Sequence, residues 1–174
     1  MTINEAIVKV ANSYNGIKEI PHNKGWKNKP EFTREMKEMG WKVGEAWCMY
    51  FVKLCVYKAY LELGNEAYAK MVKDNLSGGV LHSLKKMKSM NICFTTATPE
   101  SGAIGIMQNG DSQLGHAFII YKIGNEAKQE IKTIEGNTDV SNGREGDGVY
   151  SRTRFQDVMQ RNKLKLVTYV VFKD

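Results

Sequence analysis

Ala103-Ile-Gly-Ile-Met107, the turn formers Gln108-Asn-Gly-Asp111, and Gly115-His-Ala-Phe-Ile-Ile-Tyr121 form the stretch on which the fold turns. Both flanking runs are short, β-branched or aromatic, and bounded by Gly, Asn and Asp, which is the pattern of strands joined by a turn. The same pattern returns at Glu130 to Glu135, Gly148 to Arg154 and Leu166 to Phe172, with a second turn at residues 143–148. About five strands therefore fill the second half of the chain.

The first half has a different period. Ile3, Ala6, Ile7, Val10 and Ala11 recur at helical spacing, and Gly16 supplies a stop. After a polar loop over residues 19–26, Pro30 to Gly40 predicts a short helix with proline near its start and glycine past its end. Another helix is expected from about Ala46 to Leu63, with Phe51, Val52, Cys55 and Ala59 on one buried stripe. Residues 66–90 add helical character around Ser77-Gly-Gly79, with Lys85, Lys86 and Lys88 on a solvated face. Helices first and strands afterwards predict an α+β fold, the helices packed on one face of an antiparallel sheet. The chain, 1–174, shows no repeat or linker and reads as one domain.

Composition narrows the function classes. Hydrophobic residues make up 42% and charged residues 25%, ordinary globular usage that excludes wholesale disorder. The longest apolar runs are strand-sized, so no membrane insertion is expected. The N-terminus lacks a basic start followed by an apolar run, so no secretory signal is expected and synthesis in the cytoplasm follows. The net charge is +6, but residues 95–147 carry −4 between basic flanks. Such a surface suits anionic partners without naming one. No interleaved aromatic and basic stripe points to nucleic acid.

Three cysteines are too few and too odd in number for a disulfide framework, and their spacing is not that of a zinc site. Cys48, in Gly44-Glu-Ala-Trp-Cys-Met-Tyr-Phe-Val52, falls in the first turn of an expected helix. The helix dipole and free N–H groups there favour a thiolate, which suits a nucleophile; the other reading is a small buried hydrophobe. Cys55 and Cys93 fit the second description. A nucleophilic cysteine needs a proton acceptor, and His116 opens a strand directly after glycine, whereas His22 and His82 lie in polar surroundings. The histidine in turn needs an orienting group. Glu135 closes a strand, and in extended chain Asn137 would project with it on the same face.

Taken together, Trp47-Cys-x-x-Phe-Val52, Gly115-His-Ala-Phe-Ile-Ile120 and Ile134-Glu-Gly-Asn-Thr138 resemble the CHAP group of papain-like cysteine amidases and peptidases, to which NlpC/P60 enzymes are related. The likeness extends to Ala11 through Pro21, Ser101 to Ile106 and Gly148 to Arg154, nearly the whole chain in the family's order. The resemblance implies a papain-like fold and cleavage of an amide bond in peptidoglycan. In it Cys48 is nucleophile, His116 general base then acid, Glu135 the orienting acceptor and Asn137 an auxiliary group. It calls for no cofactor, and the Asp-free loop at residues 22–26 argues against the calcium site that some members carry. Trp26, Trp41 and Trp47 precede the nucleophile, where they either line a substrate groove or pack into the core. His116 and Glu135 are expected at a site edge, where substitution spares folding.

Without a signal or a wall-binding repeat, the expected setting is a monomeric lysis enzyme of a phage, acting on the cell wall after release, or an injected effector acting in the periplasm. A housekeeping wall enzyme ranks third. An inactive basic module that binds polyanions is the alternative from another class.

Overall fold

The computed structural model describes residues 1–138 and 146–174. Five helices come first: α1 (Ile3–Ser13), α2 (Pro30–Glu38), α3 (Cys48–Glu62), α4 (Glu66–Asn75) and α5 (Val80–Ser89). Six strands follow: β1 (Cys93–Thr96), β2 (Ile104–Asn109), β3 (Gly115–Ile123), β4 (Glu130–Thr138), β5 (Gly148–Phe155) and β6 (Leu164–Phe172). A short α6 (Gln156–Arg161) sits between the last two strands. The strands make one antiparallel sheet in the order β1-β6-β2-β3-β4-β5. The fold is α+β, as the change of period at residue 103 foretold.

Local rules explain the helix starts. Thr2 and Glu5 form a reciprocal capping box at α1. Pro30 opens α2, where its missing N–H costs nothing. Leu76, in extended conformation, ends α4, and Gly78 passes so close to the Tyr50 ring that a Cβ there would lie 2.2 Å from it. Residues 143–145, half of one expected turn, lie outside the described residues.

Three features depart from the sequence reading. β1 completes a sixth strand: it pairs only with β6, and its four residues are too few to show a period. The core stripe of α3 widens almost to the full circumference, because the helix lies between the sheet and its fellow helices; even Lys53 is buried, its ammonium donating to the Met39 carbonyl at 2.8 Å. Finally, the helices do not all share one face. The main core unites α1 to α5 with Ile104, Ala117, Ile119, Ile134 and Val149. A second core, with Met107, Phe118, Ile120, Ile131, Tyr169 and Met159 of α6, lies on the opposite face. Both faces of the central strands are therefore covered, which matters for the site.

Candidate active site

Cys48 is the first residue of α3, and Trp47 at the cap position offers no side-chain acceptor to the first turn. The free N–H groups there lack the oxygen that Ser, Thr, Asp or Asn would supply. The Cys48 sulfur lies there, where the backbone N–H groups of Met49 and, across the gap to β3, of Ala117 favour its thiolate form. The thiol is nearly closed off from solvent, with 6% of the residue exposed.

Alternation along β3 and β4 sorts the remaining groups. Ala117, Ile119 and Ile134 point into the main core, toward α3. His116, Phe118, Thr133 and Glu135 therefore point to the other face, that of the second core. At the start of β3, beside Cys48, the His116 imidazole bridges the two faces. Its Nε2 lies 2.8 Å from Glu135 Oε2, and the imidazole lies close enough to Cys48 for each group to shift the other's proton affinity.

Glu135 is completely buried, and its partners are those that hold a carboxylate in its charged form. Thr133 Oγ1 donates to Oε1 at 2.5 Å, while Arg154 of β5 donates from Nε to Oε1 and from Nη2 to Oε2, both at 2.6 Å. With His116, these contacts fill the four lone-pair directions of the carboxylate. Arg154 also lies over the Phe118 ring, 5.4 Å from its centroid.

The electrostatics follow. Burial opposes charge on Cys48, but the His116 hydrogen bond and charge, with the two N–H groups, overcome it and lower the thiol pKa. Burial likewise works against the imidazolium, and Cys48 and Glu135 outweigh it to lift His116 to about 9. Glu135 is held far below the usual carboxylate range: burial would raise it, but Arg154 and then His116 dominate. These shifts favour a thiolate–imidazolium pair near neutral pH. Burial instead raises the thiols of Cys55 and, to about 11, Cys93, whose sulfur donates to the Met87 carbonyl.

Gly136 fixes the distance between α3 and β4. A Cβ there would lie 2.7 Å from Phe51 Cβ and Trp47 Cζ3, so only glycine lets the helix start approach the strand. Asn137 follows with φ of +54°, and the β4–β5 register slips between Glu135 and Thr138. This bulge breaks the alternation on which a shared face for Glu135 and Asn137 depended. The structure places Glu135, and not Asn137, within hydrogen-bond distance of the His116 ring, 2.8 Å from Nε2.

Of the expected residues, Cys48, His116 and Glu135 come together, while His22 and His82 are exposed elsewhere. The tryptophans require a correction. Trp26, Trp41 and Trp47 are 4%, 2% and 0% exposed; Trp26 packs tilted against Trp41 and edge-to-face against Trp47, with centroids 4.8 and 4.9 Å apart. Trp41 donates to the Glu45 carbonyl and Trp47 to the Glu19 carboxylate. All three are core anchors of the chain preceding Cys48; of them Trp26 also lines a surface depression of about 350 Å³, with Ile20, Lys24 and Asn28. A depression of about 380 Å³ is lined by Glu45, Ala46, Tyr50, Ser77, Gly78 and Gly79, and so includes residues two positions to either side of Cys48 in the chain.

Sequence reasoning missed Thr133 and Arg154. Thr133 sits two residues before Glu135, on the same face. Arg154 belongs to an alternating Tyr150-x-Arg-x-Arg154 pattern that places basic groups on one strand face, a signal that pairing with an acidic strand makes legible. Among the described residues no group of three His, Cys, Asp or Glu is placed to hold a metal, and no helix is long and apolar enough to cross a membrane. No family model, curated protein or solved structure matches the chain.

Proposed function

We propose that this protein is a cysteine amidase or peptidase of papain-like type that hydrolyses an amide bond of peptidoglycan. The observation that carries the reading is Cys48 at a helix start that favours thiolate, beside a His116 imidazole whose Nε2 lies 2.8 Å from the buried Glu135 carboxylate. A cysteine serving only as a core hydrophobe has no need of a histidine and a carboxylate behind it.

In this reaction the Cys48 thiolate attacks the amide carbonyl carbon and the π electrons move to oxygen. The developing oxyanion meets N–H groups at the start of α3, with that of Cys48 as the natural donor. As the tetrahedral species collapses, the carbon–nitrogen bond breaks and the His116 imidazolium gives its proton to the leaving amine. A thioester remains. Neutral His116 then takes a proton from water, hydroxide adds to the thioester carbonyl, and the carboxylic acid leaves as thiolate re-forms. Glu135 keeps the ring oriented and stabilises the imidazolium throughout.

The choice of substrate rests on the resemblance of the Trp-Cys-x-x-Phe-Val, Gly-His-Ala-Phe and Glu-Gly-Asn segments to peptidoglycan-cleaving CHAP enzymes, and the net charge of +6 suits an anionic wall. The depression beside Glu45 and Tyr50 is bracketed by segments adjoining Cys48 and His116 in the chain, since Val80 Cγ1 would lie 3.2 Å from a Cβ on Gly115, and we assign it to the stem peptide. Release from a phage-infected cell is the setting we favour. The test is Cys48→Ala on purified sacculi: soluble peptide or muropeptide release should vanish with the melting temperature retained. Undiminished release would refute the mechanism.

A further inference from the structure

We infer that Arg154 is a positioning residue of the Cys48 site, whose charge balances Glu135 so that a thiolate and an imidazolium coexist in a buried place. The inference rests on Cys48 being the nucleophile.

The working state holds two anions, the Cys48 thiolate and the Glu135 carboxylate, and one cation on His116. Alone, these three would leave a net negative charge among groups with almost no access to water: Glu135 is wholly buried and Cys48 nearly so. Arg154 supplies the missing positive charge through a two-pronged contact, and its guanidinium is pinned over Phe118. Four groups then make two complete ion pairs.

The contact also divides the carboxylate's work. Arg154 Nε and Thr133 hold Oε1, while Oε2 is shared between Arg154 Nη2 and His116 Nε2. The carboxylate cannot rotate, so the imidazole is aimed at Cys48. Other polar or charged groups around the set are Tyr150, opposite Glu135 in the β4–β5 register, and Arg152, which donates to Thr138 Oγ1 at 2.8 Å. Glu19 stands behind Trp47.

Without Arg154, forming the thiolate takes the site from neutral to negative rather than from positive to neutral. Thiolate formation therefore needs a higher pH, by about one unit for a cation two groups away in a partly polar interior.

The experiment is the pH dependence of Cys48 alkylation by iodoacetamide, read by peptide mass spectrometry in the intact protein, Arg154→Gln and Arg154→Lys. In the intact protein, Cys48 should react well below the pH of an ordinary thiol while Cys55 and Cys93 stay protected. Ordinary behaviour of Cys48 there would overturn the proposed function itself. Arg154→Gln should move the midpoint upward by about one unit and slow reaction about tenfold at lower pH. Arg154→Lys keeps the charge but loses the fork, so it should recover most of the midpoint while hydrolysis stays impaired. An unmoved midpoint in folded Arg154→Gln overturns the inference. Loss of the fold in both variants overturns it too, the arginine then being only a strut of the sheet.

Discussion

Glu135→Gln keeps the shape of the side chain and removes its charge. The carboxylate is 0% exposed and receives Arg154 twice at 2.6 Å, His116 at 2.8 Å and Thr133 at 2.5 Å. The amide presents one face of donors to these donors and leaves the guanidinium without a counter-charge. Removing one partner of a buried ion pair costs about 3–5 kcal/mol. The Arg154 side chain is 19% exposed, so water relieves part of this and the lower end, about 3 kcal/mol, applies. In a chain of this size each kcal/mol lowers the melting temperature by about 2–4 °C, which gives a fall of roughly 6–12 °C. Thermal denaturation followed by circular dichroism at neutral pH measures it. Glu135→Gln/Arg154→Gln leaves no unpaired buried charge and should recover at least half of the lost stability, yet hydrolysis of sacculi stays impaired in both variants. A single variant melting within about 1 °C of the parent would refute the argument, because it would mean that the carboxylate is solvated in solution.

Gly136→Ala should be inactive for a steric reason. Its Cβ would meet Phe51 and Trp47 at 2.7 Å, an overpacking of about 1–3 kcal/mol that pushes the start of α3 off β4. A displacement of about 1 Å at Cys48 lowers kcat about a hundredfold, to be checked by sacculus turbidity beside a melting curve. The pH–rate profile should fall on its alkaline side near pH 9, where His116 loses the proton that the leaving amine needs. Activity undiminished well above that pH would place the general acid elsewhere.

The local pattern carried most of the fold. Helical spacing in residues 3–11, the proline and glycine bracketing α2, and β-branched runs from residue 103 onward each reflect a preference decided within a few residues. The same holds for Cys48 at a helix start and His116 at a strand start. The sixth strand escaped because β1 is only four residues long and its place depends on β6.

What the sequence determined by itself was most of the helices and strands, and that a cysteine and a histidine stand at element starts; the strand expected to close at Glu135 runs on to Thr138. Tertiary structure decided what surrounds them. It put Trp26, Trp41 and Trp47 inside the core, moved Asn137 off the face of Glu135 through a bulge, and buried Glu135 against Arg154 when site-edge exposure was expected. The physical reason is common to all three. Alternation along a strand fixes which side chains share a face, but whether that face meets water, a second core or an arginine depends on segments distant in the chain, and no local period records them.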